Sequence, residues 1–135
     1  MSGKSGATQV AIGIIFHEGR LLISRRGENV HLAGLWEFPG GKCLPHESLK
    51  ECLQRELLEE LGVEVKVHQK IKRLQHRYPL GSVALHAFRC SIISGEPRPV
   101  GCQEIRWVLP TELDSFTFPL ANGPLLQELQ FRLFK

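Results

Sequence analysis

Residues 41–63 read GKCLPHESLKECLQRELLEELGV, and this stretch decides how the rest of the 135-residue chain is interpreted. It predicts a helix over residues 48–61. Ser48 is a good N-terminal cap, and Glu51, three residues later, completes a capping box. Gly62 follows the last apolar position, where helices commonly end in a left-handed residue. We therefore expect one well-defined helix with a glycine at its end.

Three carboxylates lie within two turns of this predicted helix. Successive helical residues rotate by about 100°, so Glu56 and Glu60 project within about 20° of Leu49, and Glu59 about 80° to one side. Glu56 and Glu60 are a like-charge pair four residues apart, which costs roughly 0.2–0.5 kcal/mol even when exposed. A divalent cation offsets this repulsion, and hard oxygen donors suit Mg²⁺ or Mn²⁺. The alternative is a solvated acidic helix end.

A glycine-rich turn, predicted at residues 39–41 (PGG), comes just before the helix. Glycine lacks the side chain that would obstruct a close approach to the backbone. In the second half of the helix the apolar face moves to another side, formed by Leu57, Leu58 and Leu61. The acids are therefore not part of the face that packs against the core. Together these features indicate a metal-dependent reaction on phosphate.

Composition and charge are ordinary for a soluble globular protein, with 42% hydrophobic residues, 23% charged residues and a net charge of +3. No basic block of the kind that coats nucleic acid is present, so direct nucleic-acid binding is not expected. No apolar run approaches the ~20 residues that span a membrane. The four cysteines form no C-x-x-C pair, and reduced thiols in a cytoplasm are the simplest interpretation. We expect residues 1–7 to be disordered and residues 8–135 to form one domain.

The remaining elements are read from β-rich runs and turn residues. Strands are predicted at residues 9–17, 20–25, 35–38, 63–67, 71–78, 82–93 and 104–109, a helical turn at 110–113, and a second helix at 124–133. The first two strands are expected to form a hairpin. Mixed strands with two helices predict an α/β (α+β) fold in which helices pack on both faces of one or two sheets.

Residues 41–63 resemble the Nudix box, G-x5-E-x7-R-E-U-x-E-E-x-G-U with U aliphatic, and every defined position is filled. Residues 35–42, LWEFPGGK, are similar to the segment before the box in the MutT-like branch of that family. Residues 118–122, FPLAN, are similar to the base-binding segment of the same branch. This resemblance implies the Nudix fold, in which a mixed β-sheet is sandwiched between α-helices. It also implies a hydrolase that uses Mg²⁺ or Mn²⁺ to convert a nucleoside triphosphate to the monophosphate and pyrophosphate.

The resemblance also implies roles for the residues of the box. Glu56, Glu59 and Glu60 are expected to be catalytic and to bind metal, joined by the Gly40 carbonyl. One of these three glutamates would also deprotonate the attacking water, and Glu56 and Glu59 are the candidates. The other defined positions would support the structure of the box: Gly41, Glu47, Arg55 and Gly62.

Substrate-binding positions follow from the resemblance as well: Arg26, His31, Glu37, Phe38, Pro39, Gly40 and Asn122. A guanidinium suits the role of Arg26 near phosphate. The Asn122 amide presents both a donor and an acceptor to a purine edge, although Asn122 could equally cap the last helix. His31 could be an ordinary loop histidine. Tyr78 is either aromatic surface for a base or a core residue.

One family position departs from the pattern. MutT-like proteins commonly carry a further acid a few residues before the tryptophan that Trp107 resembles, and this chain has Gly101 there. Glu104 lies nearer to Trp107 and Glu96 farther away, so a fourth carboxylate would have to come from one of these two.

The function that the resemblance implies is an 8-oxo-dGTP diphosphatase that sanitises the nucleotide pool, because Asn122 favours an oxidised purine. The alternative is a pyrophosphohydrolase of CTP or modified pyrimidine triphosphates, which residues 35–36 (LW), 119–120 (PL) and 125–126 (LL) also resemble. A non-catalytic module that recognises 8-oxoguanine is a third interpretation. We expect a cytoplasmic monomer whose partner is a small nucleotide.

Overall fold

The computed structural model describes residues 7–27, 34–79, 81–119 and 122–133. The predictions for residues 1–6 and for His31 lie outside the described residues. The elements, in chain order, are β1 (Thr8–His17), β2 (Arg20–Arg25), β3 (Trp36–Glu37), β4 (Gly40–Lys42), α1 (Leu49–Leu61), β5 (Glu64–Tyr78), β6 (Gly81–Ser94), β7 (Glu104–Val108), a 3-10 helix (Pro110–Ser115) and α2 (Gly123–Leu133).

The strands form one mixed sheet in the order β3-β2-β1-β6-β5, with β4 paired to β1 and β7 paired to β2. β1 and β6 are parallel, and the other pairs are antiparallel. The predicted hairpin of β1 and β2 is confirmed, since His17 pairs with Arg20. The predicted mixed sheet is confirmed as well.

Two apolar cores lie on opposite faces of β1, and each is covered by a helix. Ala11 and Ile15 belong to the core that contains the buried side of α1. Ile12 and Ile14 belong to the core that contains Leu125 of α2. Side chains alternate across a strand, so a strand buried on both faces must be apolar at every position. This explains the unbroken apolar run of β1 and confirms the sandwich of helices around the sheet.

Helix α1 begins and ends as its sequence predicts. The Ser48 hydroxyl accepts a hydrogen bond from the Glu51 amide (3.1 Å), and the Glu51 carboxylate accepts one from the Ser48 amide (3.0 Å). Gly62 is left-handed, with φ of 73°. Leu57 and Leu61 are buried, but Leu58 is 53% exposed. The prediction that Leu58 belongs to the apolar face was wrong, because it projects about 180° from Leu49 at 100° per residue.

Two predictions about strands need correction. The expected turn at residues 39–41 is partly a strand, because β4 pairs with β1 from Val10 to Ile12. Gly40 has φ of 153°, and a Cβ there would collide with the Ala11 carbonyl, so glycine remains necessary. The strands predicted at 63–67 and 71–78 form one continuous β5, with irregular pairing between Val67 and Lys72.

The expectation of four reduced thiols was wrong for two of them. Cys43 and Cys52 form a disulfide, with Cα atoms 5.2 Å apart, whereas Cys90 and Cys102 are free. The bridge joins the loop after β4 to the first half of α1. The sequence did not indicate it, because the strand and the helix bring the two cysteines together only once both are packed.

Within the described ranges, no helix is long and apolar enough to cross a membrane.

Candidate active site

A cleft of about 730 Å³ lies beside α1 and β4. Charged side chains line one part of it, and polar side chains and glycine backbone line another: Arg26, Glu37, Lys42, Glu60, Gln103, Asn122, Gly27, Gly40, Gly41 and Gly101. Apolar side chains form the remaining part of the wall, and they come from β1, β6, the residue after β3 and the loop before β7: Val10, Ile12, Leu85, Phe38 and Val100. The charged part of the wall therefore suits an anion together with a bound cation. The apolar part suits a planar ring.

Glu60 carries the most perturbed carboxylate of those that line the cleft. Burial raises its pKa to about 8, and the nearby carboxylates of Glu37 and Glu56 add to that rise. Hydrogen bonds from the Ser24 hydroxyl (3.1 Å) and the Gly40 backbone oppose the rise. A buried carboxylate beside like charges is stabilised in its ionised form by a cation. Glu60 therefore fits the role of a metal ligand.

Glu56 lies against the strand that precedes its helix. A Cβ on Gly41 would overlap the Glu56 carboxylate, so the second glycine of the strand is needed for space rather than for its backbone angles. The Arg55 guanidinium donates to Glu56 at 2.9 Å. The close fit of Glu56 onto β4 brings its carboxylate to the backbone of Gly41, one residue from Gly40.

Glu59 is the most exposed of the three acids, with 61% of its side chain accessible. It contacts Arg55 at 3.3 Å. Among the described residues, no three acidic, histidine or cysteine side chains converge closely enough to enclose an ion by themselves. Mg²⁺ usually keeps several waters and shares its shell with substrate phosphates. The donor set of Glu56, Glu59 and Glu60 is therefore compatible with an open site completed by substrate.

Arg55 and Glu47 hold the loop before α1 against the helix. The guanidinium makes two bonds to the Glu47 carboxylate, at 2.6 and 3.0 Å, and a third to the Lys42 carbonyl at 3.1 Å. Glu47 also accepts from the Leu44 amide at 2.9 Å. The hydrogen bond from Arg55 lowers the pKa of Glu47 to about 2, and the pKa of Arg55 is raised. These contacts indicate that Arg55 and Glu47 have a structural role.

Arg26 and Glu37 form an ion pair at 2.9 Å on the wall of the cleft. Burial nevertheless raises the pKa of Glu37, and Arg26 only reduces the rise. Phe38 is buried and packs against Phe118, with ring centroids 5.3 Å apart. The Pro39 carbonyl accepts from the Gly13 amide at 2.8 Å. Pro39 thus holds the chain in place and does not line the cleft.

Asn122 lines the same cleft and is only 8% exposed. Its backbone amide donates to the Pro119 carbonyl at 2.9 Å. In the part of the chain that the structure describes, its side-chain amide has no hydrogen-bond partner. A polar ligand in the cleft would find both a hydrogen-bond donor and an acceptor in this amide.

Comparison with known proteins agrees with this geometry. Residues 10–128 match the NUDIX domain family. The chain belongs to the Nudix family. It is 34% identical over 119 residues to the CTP pyrophosphohydrolase of Escherichia coli, covering 88% of each chain. It is 32% identical over 123 residues to the 8-oxo-dGTP diphosphatase of the same organism, covering 90% of this chain and 95% of the relative.

A solved structure shows the same Nudix fold. The MutT protein from Methanosarcina mazei superposes with a TM-score of 0.85 at 25% identity, over 99% of this chain and 100% of that one. This confirms the MutT-like resemblance and the fold class that it implied.

A fourth Nudix acid is not brought to the cleft from either predicted position. Glu104 pairs with Arg106 at 3.0 Å and with Arg25 at 3.7 Å. Glu96 lines a separate cleft beyond the end of β6. Gly101 does line the site, and a Cβ there would lie 3.3 Å from the Glu60 Cα. The side chain of Tyr78 is not described.

Sequence reasoning missed a side chain that hydrogen-bonds to a carboxylate of the Nudix box. Ser24 is fully buried in β2 and donates to Glu60. Its signal was a single hydroxyl at the end of the apolar run LLI in residues 21–23. Lys42 and Gln103, which also line the cleft, gave no signal that distinguishes them from other surface residues.

Proposed function

We propose that this Nudix protein is a Mg²⁺-dependent nucleoside triphosphate pyrophosphohydrolase whose substrate is 8-oxo-dGTP. The products are 8-oxo-dGMP and pyrophosphate, and the role is to remove an oxidised nucleotide before DNA replication uses it. The observation that carries the choice of base is the buried Asn122 amide, which faces the cleft without a partner in the described residues. We further propose one domain over residues 8–135, acting as a cytoplasmic monomer, in which the reducing environment would keep the Cys43–Cys52 bridge open.

The carboxylates of the box would hold the cation together with the Gly40 carbonyl. When bound, the divalent ion supplies charge that neutralises phosphate oxygens and lowers the pKa of a water. Glu60 is the natural first ligand because it is buried and lacks a cationic partner in the described contacts. Glu56 or Glu59 would accept the proton of the water that attacks the β-phosphorus. Arg55, which contacts both, sets where their carboxylates lie.

The substrate phosphates would meet the cationic side chains of the cleft. Arg26 keeps its guanidinium at the wall through the ion pair with Glu37. Lys42 is exposed at the end of β4, next to the two glycines. An arginine presents two parallel donors to a phosphate, and a lysine presents a point charge. Both would stabilise the negative charge that develops on the phosphates as the bond from the β-phosphorus to the departing monophosphate breaks.

The base would lie between the apolar walls and Asn122. Val10, Ile12 and Leu85 offer flat aliphatic surface, and Phe38 offers an aromatic ring. The amide of Asn122 can donate and accept at once, which matches neighbouring acceptor and donor atoms on a purine edge. A site built to hydrogen-bond a substrate group discriminates strongly against analogues that lack it.

A second candidate is hydrolysis of CTP, favoured by the 34% identity to the E. coli CTP pyrophosphohydrolase. The two candidates share the metal site and differ only in the base. A non-catalytic module is disfavoured, because all three box acids are present and Glu60 lies in the cleft.

The test is the specificity constant kcat/KM with Mg²⁺ over a panel of 8-oxo-dGTP, dGTP, CTP and 5-methyl-dCTP. We expect 8-oxo-dGTP to lead by tenfold or more, which is ~1.4 kcal/mol. A tenfold preference for a pyrimidine would overturn the proposal in favour of the second candidate.

The Asn122→Ala variant tests the residue that carries the argument. Loss of a buried hydrogen-bonding partner is worth roughly 1–3 kcal/mol, so kcat/KM for 8-oxo-dGTP should fall about 10- to 100-fold. The value for CTP should change less than threefold. Gln127→Ala removes an exposed amide from α2 and is the matched control, which should leave both values unchanged. Equal losses for both nucleotides would show that Asn122 does not read the base.

A further inference from the structure

Ser24 is a polar residue in a position that otherwise excludes polar groups. It has no exposed surface, and its neighbours Leu22 and Ile23 in β2 are fully buried. Its backbone is paired on both sides, to Glu37 of β3 and to Ile105 of β7. The hydroxyl is therefore the part of Ser24 whose partner is not dictated by the sheet.

The hydroxyl donates to Oε1 of Glu60 at 3.1 Å, across 36 positions of sequence. A hydroxyl has one donor hydrogen, and a carboxylate that binds a cation is ionised and only accepts, so the hydroxyl must be the donor when the cation is bound. The serine sits on a strand that is paired on both edges and cannot follow a moving side chain. It therefore anchors one carboxylate oxygen of Glu60 to a strand that is paired on both edges.

Ser24 does not line the cleft, so it cannot touch a nucleotide there. Directly paired residues in antiparallel strands project to the same face, and Ser24 pairs with Glu37. The hydroxyl thus lies on the face that also carries the Glu37 carboxylate, whose charge repels Glu60. The Ser24 hydroxyl is therefore the group on β2 that keeps the Glu60 carboxylate in place despite repulsion from Glu37.

We propose that Ser24 is a positioning residue, which sets the orientation of the Glu60 carboxylate for a divalent cation. This rests on the proposed function, because it takes Glu60 as a metal ligand. Groups that hydrogen-bond to metal ligands orient them, and their loss typically weakens metal affinity 10- to 100-fold. Ser24 would act in this way through Glu60, with no contact to substrate.

The experiment is a titration of the nucleotide-free protein with Mn²⁺, followed by the electron paramagnetic resonance signal of the free ion. We expect Ser24→Ala to raise the Kd for Mn²⁺ about tenfold. Ser24→Thr keeps the hydroxyl in a residue that suits strands, and it should bind within threefold of the unchanged protein. Ser24→Cys fills the same space with a weak donor and should bind as Ser24→Ala does.

Ser91→Ala is the matched control, because it also removes a hydroxyl from a strand, one that bonds to His68 at 2.7 Å. It should leave the Kd unchanged. Thermal unfolding in EDTA establishes that each variant is folded; if Ser24→Ala is not, Ser24→Cys takes its place in the comparison.

Two results would overturn the proposal while leaving the proposed function intact. One is an unchanged Kd in Ser24→Ala and Ser24→Cys, and the other is a Kd in Ser24→Thr as weak as in Ser24→Ala. A different failure would be that the protein without any substitution binds no Mn²⁺. That result would remove the metal site itself, and with it both the proposed function and the role of Ser24.

Discussion

Replacing Glu60 with glutamine should stabilise the metal-free protein even though it weakens cation binding. Burial and the carboxylates of Glu37 and Glu56 all oppose ionisation of Glu60, and its pKa is raised to about 8. Glutamine has nearly the same size and can still accept a hydrogen bond from Ser24. The variant therefore removes the unfavourable charge and keeps the packing.

The size of the effect follows from the two pKa values of the carboxyl. The folded value of about 8 lies above the ordinary value of 4.5. The stabilising contribution of the protonated group is therefore complete below pH 4.5 and is lost as the pH rises through 8. At 1.36 kcal/mol per pKa unit, the full loss is on the order of 5 kcal/mol. In a 135-residue protein this corresponds to roughly 15 °C in Tm.

The assay is thermal unfolding followed by circular dichroism in EDTA, from pH 5 to pH 9. The curves for the unchanged protein and Glu60→Gln should nearly coincide at pH 5, and the variant should melt higher by roughly 15 °C above pH 8. Glu59→Gln changes an exposed acid of the same helix and is the control. The difference in Tm between this variant and the unchanged protein should not grow as the pH rises. An offset that is constant with pH, or a variant that melts lower at pH 8.5, would refute the reasoning.

Three further perturbations follow from the contacts of the box. Gly41→Ala places a Cβ against the flexible end of the Glu56 side chain, so the carboxylate should turn aside with little loss of stability and the Kd for Mn²⁺ should rise about tenfold; an unchanged Kd would contradict the close fit. Cys43→Ser opens a bridge that spans nine positions and should lower the unfolding free energy by roughly 2–3 kcal/mol, whereas equal stability with and without reductant would show that the bridge does not form. Glu59→Gln should lower kcat at saturating Mg²⁺ by at least tenfold, and unchanged turnover would remove Glu59 from both the metal and the proton-transfer roles.

The parts of the fold that depend on local sequence could be predicted well. Ser48, Glu51 and Gly62 specify the ends of α1 through contacts within three or four residues, and the structure has those contacts. Leu58 was placed on the wrong face because an apolar residue next to Leu57 in sequence need not share its side of the helix. Only the angle around the helix axis distinguishes the two.

The parts that depend on distant segments could not be predicted from the pattern alone. The turn at residues 39–41 becomes β4 because β1, about 30 positions earlier, supplies its partner strand. The bond from Ser24 to Glu60 and the bridge from Cys43 to Cys52 exist only when strand and helix are packed. Asn122 was suggested by resemblance to a family segment, and its burial beside the cleft became visible only in the structure.

The central claim is that this protein cleaves a nucleoside triphosphate between its α- and β-phosphates with Mg²⁺. The most direct measurement is hydrolysis of 8-oxo-dGTP in ¹⁸O-water, with both products identified by mass spectrometry. We expect 8-oxo-dGMP without label and pyrophosphate that carries one ¹⁸O, since water attacks the β-phosphorus. Release of inorganic phosphate and 8-oxo-dGDP, or no turnover of any nucleoside triphosphate with Mg²⁺, would contradict the account.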